Sequence, residues 1–454
     1  MINYIFFYLY LAISLQQQPI VLIYADELSG SATPGVEYRK VSGKVHFQQG
    51  NVVIKCDIAN HYISENKVEL FGNVVITQED LILKANNIFY DGNSGLAVSN
   101  DKVSIIDKNS NLKADKGNYS TKSYIAEFIE NVSITDKNSI IHTEKLIHNR
   151  KTQFSQCFGN VKIEDDSTLI LSEYAEHNAE TKDNKSIGKV LAISKYSNIF
   201  LNSDTLLSFS KDDYVQALGN PILCQLDTIE KKDIYKDGEK IYEYEIDTIF
   251  ISSQTMEGWF KQNNENFFFN NNVEISSKKI CGTGDEMIYN KTDENIFLFG
   301  KAKIYYDSVQ IHSDTITIYT NSNKLDSIFS QSNAIVMSKD DTITNRINQI
   351  SGNAIWIYFY QDSIRRIISN GEAKSLYFLA TDDANEGAPR IFADRIEILF
   401  ENREPSLINW LGAIEGEFFP ENIIEEKGAK DYYLPDFLWI DNKPQKKILS
   451  RYLK

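Results

Sequence analysis

The sequence is poor in the residues that usually announce chemistry. Four cysteines (Cys56, Cys157, Cys224 and Cys281) in 454 residues stand far apart and share no metal-ligand spacing. They read as small buried apolar side chains, with one or two disulfides open to them in an oxidising compartment. Six histidines are scattered; His142 and His148 form the nearest plausible pair and have no third ligand nearby, so no metal is assigned. No nucleophile elbow is present, and Cys281-Gly282-Thr283-Gly284 lacks the lysine and the helix of a phosphate loop. Positive charge is in deficit: 47 Lys and Arg against 63 Asp and Glu give a net charge of −16. That balance excludes nucleic acid as the main partner. Eight prolines are too few for a disordered or collagen-like chain. No segment carries a helical apolar stripe, and no run beyond the N-terminus approaches a membrane span.

What is there favours strands: 25 Tyr and 25 Phe, with abundant Ile, Val and Thr. Residues 1–25 carry no charged side chain. An apolar run, Tyr4 to Leu15, is broken by Gln16-Gln17-Gln18-Pro19 and resumes to Ala25. It reads as an export signal cleaved after Ala25, although no Lys or Arg precedes it. No Cys lies near residue 25, so a lipoprotein anchor is not expected.

The organising feature is a repeat. Gly43-Lys44-Val45, Gly72-Asn73-Val74, Asp101-Lys102-Val103, Glu130-Asn131-Val132, Gly159-Asn160-Val161 and Gly188-Lys189-Val190 follow one another at a fixed step of 29 residues. Later copies drift: Gly219-Asn220, Asn271-Asn272-Val273, Gly300-Lys301-Ala302, Ser332-Asn333-Ala334 and Gly371-Glu372-Ala373. A second anchor precedes each, a small residue followed by an acid or amide, as in Cys56-Asp57, Ala85-Asn86, Ala114-Asp115, Ser203-Asp204, Ser313-Asp314 and Ala393-Asp394. Recurrence of the acid once per unit points to a structural task rather than a catalytic pair.

Within a unit the apolar period is two, the mark of half-buried strands. Val74/Ile76, Val103/Ile105, Val132/Ile134 and Val161/Ile163 each flank a residue facing the other way. The expected unit is two or three short antiparallel strands, stable only when stacked on its neighbours. The anchor glycine fits a bulge with φ > 0; Asp101 and Asn271 suit that geometry, Glu130 and Ser332 less well. Residues 26–420 form the array, an insertion hairpin around Asp237-Gly238 occupies about 226–250, and 421–454 form a cap and a basic tail. The stacked inner faces make either a dry core or an open apolar trough, and periodicity leaves both open.

The repeated small–acid and Gly-Asn-Val stretches, behind an export signal, resemble the OstA-like (LptA-like) proteins of lipopolysaccharide transport. Leu83-Lys84-Ala85-Asn86-Asn87-Ile88 with Val103, Ser203-Asp204 with Gly219-Asn220, Ile350 to Ile357 with Gly371, and Ala393-Asp394 to Pro420 carry the likeness across roughly residues 40–420. It implies an all-β antiparallel jellyroll, a V-shaped stack with an apolar inner face. It implies a non-enzymatic periplasmic protein, without cofactor, that bridges toward the outer membrane and holds lipid A acyl chains of lipopolysaccharide. It also implies strand-edge docking to other jellyroll transport components or to a second copy. The groove candidates are then Val74, Ile76, Ile88, Val103, Ile105, Val132, Ile134, Val161, Ile163, Ile316 and Ile318. The alternative is a structural or adhesive β-solenoid with a filled core and no lipid.

Overall fold

The computed structural model describes residues 18–30, 38–107, 110–136, 139–230, 234–236, 239–241, 244–261, 264–321, 324–339, 346–380, 385–401, 403–435 and 438–444. They are almost entirely β-strand, and every strand pair is antiparallel. Two compact units divide the chain. One holds the residues up to Asp166 with Glu173–Glu180; the other holds Ser167–Ser172 and the residues from Thr181. Residues 1–17 of the expected export signal lie outside the described residues, as does the Asp237-Gly238 turn. The flanking strands Ile234–Lys236 and Glu239–Ile241 do pair as a hairpin.

The 29-residue step corresponds to two strands, longer than the short ones expected. Val52–Tyr62 and Lys67–Gln78 are typical. Each strand is divided by a bulge at the anchor, where register shifts: between Phe71 and Val74 in one pairing, and between Lys55 and Ile58 in the next. A bulge bends and twists its strand, so the halves before and after it serve different walls of a jellyroll. In Lys67–Gln78, Val68 and Leu70 face inward before the bend, and Val74 and Ile76 after it; all four are buried.

The backbone explains the Gly-Asn-Val pattern. Both bulge residues take positive φ: Gly72 is at 71° and Asn73 at 44°, Gly159 at 77° and Asn160 at 44°. Glycine is favoured at the first position because a Cβ on Gly72 would lie 2.5 Å from Asp57 Oδ2. The second anchor closes the bend: Asn73 donates to Asp57 at 2.8 Å, Asn131 to Asp115 at 2.5 Å, and Asn333 to Asp314 at 2.9 Å. Glu130 and Ser332 also adopt positive φ, at 68° and 63°, although neither residue type favours it. The amide–carboxylate bond of the following asparagine holds those bends. Asp101, expected to tolerate a bulge, instead marks a break between the strands Leu96–Ser99 and Val103–Ile106.

Residues 18–25 take part in the fold. Ile20 is buried, and Val21–Tyr24 pairs with Arg39–Gln49. Asp26 N–H donates to Ser42 O at 3.0 Å and Gly43 O at 2.9 Å. Asp115 N–H makes the same kind of bond to Glu130 O. Ala25-Asp26 is therefore one further copy of the small–acid anchor. At the other end, Glu415–Pro420 pairs with Asn385–Glu401, and a short helix (Glu421–Lys427) and a 3-10 turn (Ala429–Tyr432) are the last elements among the described residues.

Candidate functional site

The inner face is a set of cross-strand rows. In the first unit one row is apolar from strand to strand. It runs Leu22–Phe47–Ile54–Ile76–Leu83–Ile105, then Leu112–Ile134–Ile141–Ile163. Each residue in it sits opposite another apolar residue, the arrangement that stabilises an antiparallel pair.

The row does not stay sealed. Relative exposure is 0% at Phe47, Ile54 and Ile76, 6% at Ile105 and 8% at Leu112. Ile134, Ile141 and Ile163 are only partly buried. The second unit runs the other way. Its equivalent row begins Ala192–Leu201–Leu223–Ile251, all partly buried. Further along, Ile304–Ile311–Val336–Ile350 are all sealed. Each unit thus has a dry stretch, Phe47 to Leu83 in the first and Ile304 to Ile350 in the second, and a stretch where the row's apolar side chains are only partly buried.

A second repeat explains the dry end of the first unit. Tyr90 and Tyr119, 29 residues apart, are fully buried. Tyr90 donates to Gln49 Oε1 at 2.6 Å, and Gln49 Nε2 donates to Gly92 O at 2.9 Å. One step on, Tyr119 donates to Gln78 Oε1 at 2.8 Å, and Gln78 Nε2 donates to Thr121 O at 2.9 Å. Each tyrosine fills the space between the walls, and its hydroxyl is satisfied by a glutamine that is itself bonded to backbone, as a buried polar network requires. At the third step the pattern changes: Asp107 stands for glutamine, His148 for tyrosine, and Arg150 for Thr121. Arg150 Nε donates to Asp107 at 3.1 Å and Nη1 to Glu79 at 3.3 Å. His148 shares a 2.9 Å hydrogen bond with Ser155, and burial lowers its pKa. The aromatic filling ends where the inner row begins to open. The spacing of Gln49/Gln78 and Tyr90/Tyr119 was legible in the sequence; it is masked there because tyrosine and glutamine are common in strands.

The groove candidates therefore separate. Val74, Ile76, Ile88, Val103, Ile105, Val132, Val161, Ile316 and Ile318 are all buried. Ile134 and Ile163 keep partial exposure. Ile141, Leu201, Leu223 and Ile251, not among the candidates, share that property. The four cysteines are free, and burial pushes the Cys56 and Cys157 thiols up to about 12. Among the described residues no group of three or more His, Cys, Asp or Glu side chains is placed to hold a metal ion. No helix among them is long and apolar enough to cross a membrane.

Residues 17–173 match the family model described as OstA-like protein. Residues 155–324 match the one described as LptA/(LptD N-terminal domain) LPS transport protein. The chain belongs to the OstA-like (LptA-like) lipopolysaccharide-transport family. Among solved structures it is similar to LptH, the LptA-homologous periplasmic component of the lipopolysaccharide transport device of Pseudomonas aeruginosa. The identity is 15%, over 31% of this chain and 95% of that one, with a TM-score of 0.26. No curated protein matches the chain. The first family match begins at residue 17, ahead of the anchor pair Ala25-Asp26. The family assignment agrees with an all-β jellyroll whose repeats supply its inner face.

Proposed function

We propose that this OstA-like chain is a non-enzymatic periplasmic carrier that holds acyl chains of lipopolysaccharide at the open ends of its inner rows. The carrying observation is the graded row of the first unit, sealed at Ile76 and open at Ile134, Ile141 and Ile163. Partly exposed isoleucines opposite one another in register offer an acyl chain a continuous apolar track, and each buried methylene contributes about 0.8 kcal/mol. The second unit offers the same at Leu201, Leu223 and Ile251. The sealed stretches serve as rigid scaffold. Outermost strands are available for docking to other jellyroll components. Val21–Tyr24 and Glu27–Gly30 each pair with Arg39–Gln49 and, among the described residues, with no second strand. Unpaired strand edges accept a further strand.

The test is site-specific photo-crosslinking in cells. Probes at Ile163 and Leu223 should label lipopolysaccharide, while a probe at Val53, on the outer face, should not. Equal labelling at all three positions, or none at any, would overturn the reading. The sealed rows favour a second reading, a structural solenoid without lipid. Native mass spectrometry of the purified protein separates the two by the presence or absence of bound lipid mass.

A further inference from the structure

The outer face of the second unit carries a row that an exposed sheet face does not need. Tyr305, Gln310, Met337, Gln349 and Leu376 lie opposite one another across five successive strands. Each is next in sequence to an inner residue or shares its outward parity: Tyr305 follows Ile304, Gln310 precedes Ile311, Met337 follows Val336, and Gln349 precedes Ile350. Side chains alternate faces along a strand, so the row points away from the inner core. It is nevertheless 0–3% exposed.

The cover is the C-terminal segment, and its two halves are held differently. The first half is anchored by burial. Ile424, Tyr432 and Leu434 pack with Leu376 and Phe378 in a core of their own, and Arg346 is paired with Glu421. The second half, residues 438–444, is held by two backbone bonds at Ile440 and by side-chain contacts of Trp439, Asp441 and Lys443, whose Nζ donates to Asp307 O at 2.8 Å. Gln310 Nε2 donates to Ile440 O at 2.7 Å, and Ile440 N–H donates to Gln310 Oε1 at 3.2 Å. Gln349 receives Leu434 N–H at 2.8 Å in the same way. A buried primary amide has both a donor and an acceptor, so it can clasp the N–H and C=O of one residue of an extended chain as a neighbouring strand would. Around this clasp the contacts are light. Lys339 lies 4.6 Å from the Trp439 ring centre and 3.1 Å from Asp441, whose side chain is largely exposed. Leu438 is exposed. Exposed ion pairs of this kind add little.

The geometry points to an exchangeable peptide-docking site on the outer face of the second unit, centred on Gln310. Its ligand is an extended aromatic–aliphatic–acidic segment, carried in cis by Trp439-Ile440-Asp441. Segment 421–434 remains seated while 438–444 lifts, which bares the Gln310 amide to a segment of the same chemistry on a partner. This surface is independent of the inner rows and does not rest on lipid binding.

The test uses the full-length protein. Ile440→Pro removes the N–H that Gln310 accepts and weakens the cis segment. A labelled synthetic peptide of residues 433–444 should bind this variant at least tenfold more tightly than it binds the unaltered protein, read by fluorescence anisotropy. Adding Gln310→Leu should abolish that gain. A parallel hydrogen-exchange measurement on the Gln310→Leu single variant should show faster exchange confined to 438–444, with 421–434 unchanged. Peptide binding that ignores Gln310→Leu, the absence of any gain in Ile440→Pro, or unchanged exchange at 438–444 would each overturn the proposal.

Discussion

The outer faces of the two units differ although their inner faces are built alike. In the first unit the row Val53–Thr77–Ile82–Ile106–Asn111 is in register across five strands, and none of its members is buried. The matching row of the second unit, Tyr305–Gln310–Met337–Gln349–Leu376, is sealed. The bulges, the strand pairing and the inward alternation are the same in both. What differs is a segment of chain far away in sequence that lies over one row and not the other. A repeat fixes its inner face through its own periodicity, while the fate of its outer face depends on what else the chain brings to it.

That contrast can be broken most forcefully at its centre. Met337→Asp places a charge in a sealed row and should cost about 4 kcal/mol of unfolding free energy. Thr77→Asp, at the uncovered row, should change it by less than about 0.5 kcal/mol. Chemical denaturation with the two variants side by side decides the matter; similar losses would mean that the first unit's outer row is also covered. The same instrument probes the inner rows. Ile76→Ala, in the dry end, should cost about 3 kcal/mol, because a cavity opens among packed side chains. Ile163→Ala, in the open end, should cost about 1 kcal/mol, since solvent already reaches it.

A pH series sharpens the comparison further. Burial, with a smaller contribution from Lys303, lowers the His312 pKa to about 4 from an ordinary 6.5. The unfolded chain therefore takes up this proton first as pH falls. The stability is fully present above about pH 6.5 and is lost as the pH falls toward 4. Allowing for the solvent that still reaches the ring, the loss is about 2 kcal/mol. His312→Asn should remove that part of the profile. His142 is the control: it sits at the same register position in the first unit, opposite Ser133 as His312 is opposite Lys303, and it is exposed. A further effect should be common to both units. Gly72→Ala and Gly300→Ala each place a Cβ at a positive-φ position against an aspartate, at a cost of about 1 kcal/mol. A large difference between these two would show that the bulges are not equivalent after all.

Much of this fold was legible in the sequence. The 29-residue step, the alternation around Val74 and Ile76, and the glycine at the bend each follow from local chemistry repeated. The length of the strands was not, because the bulge that looks like a turn in sequence merely bends a continuing strand. The positive φ of Glu130 and Ser332 does not follow from residue type, since the amide–carboxylate clasp outweighs intrinsic preference, and the break at Asp101 is likewise absent from the residue pattern. The boundary at Ala25 is the most instructive point. The apolar stretch ending in alanine reads as an export signal, and in the structure its last residues also pair with Arg39–Gln49 while Asp26 makes the backbone bonds of a repeat anchor. Of the candidate groove residues, pattern alone could not separate Ile76 from Ile163, for the two occupy identical places in their units.

The sequence by itself determined the bent, bulged, antiparallel strands and an inner face lined by Val and Ile. Those depend on interactions within one unit and its neighbour, and the repeat states them many times over. Only the tertiary structure decided where that face is dry and where it is open, because burial depends on whether Tyr90 and Tyr119 fill the space between facing walls. It alone revealed that Gln310 and Gln349 lie under the chain's own C-terminal segment, in contacts spanning 130 and 85 residues that no local periodicity encodes.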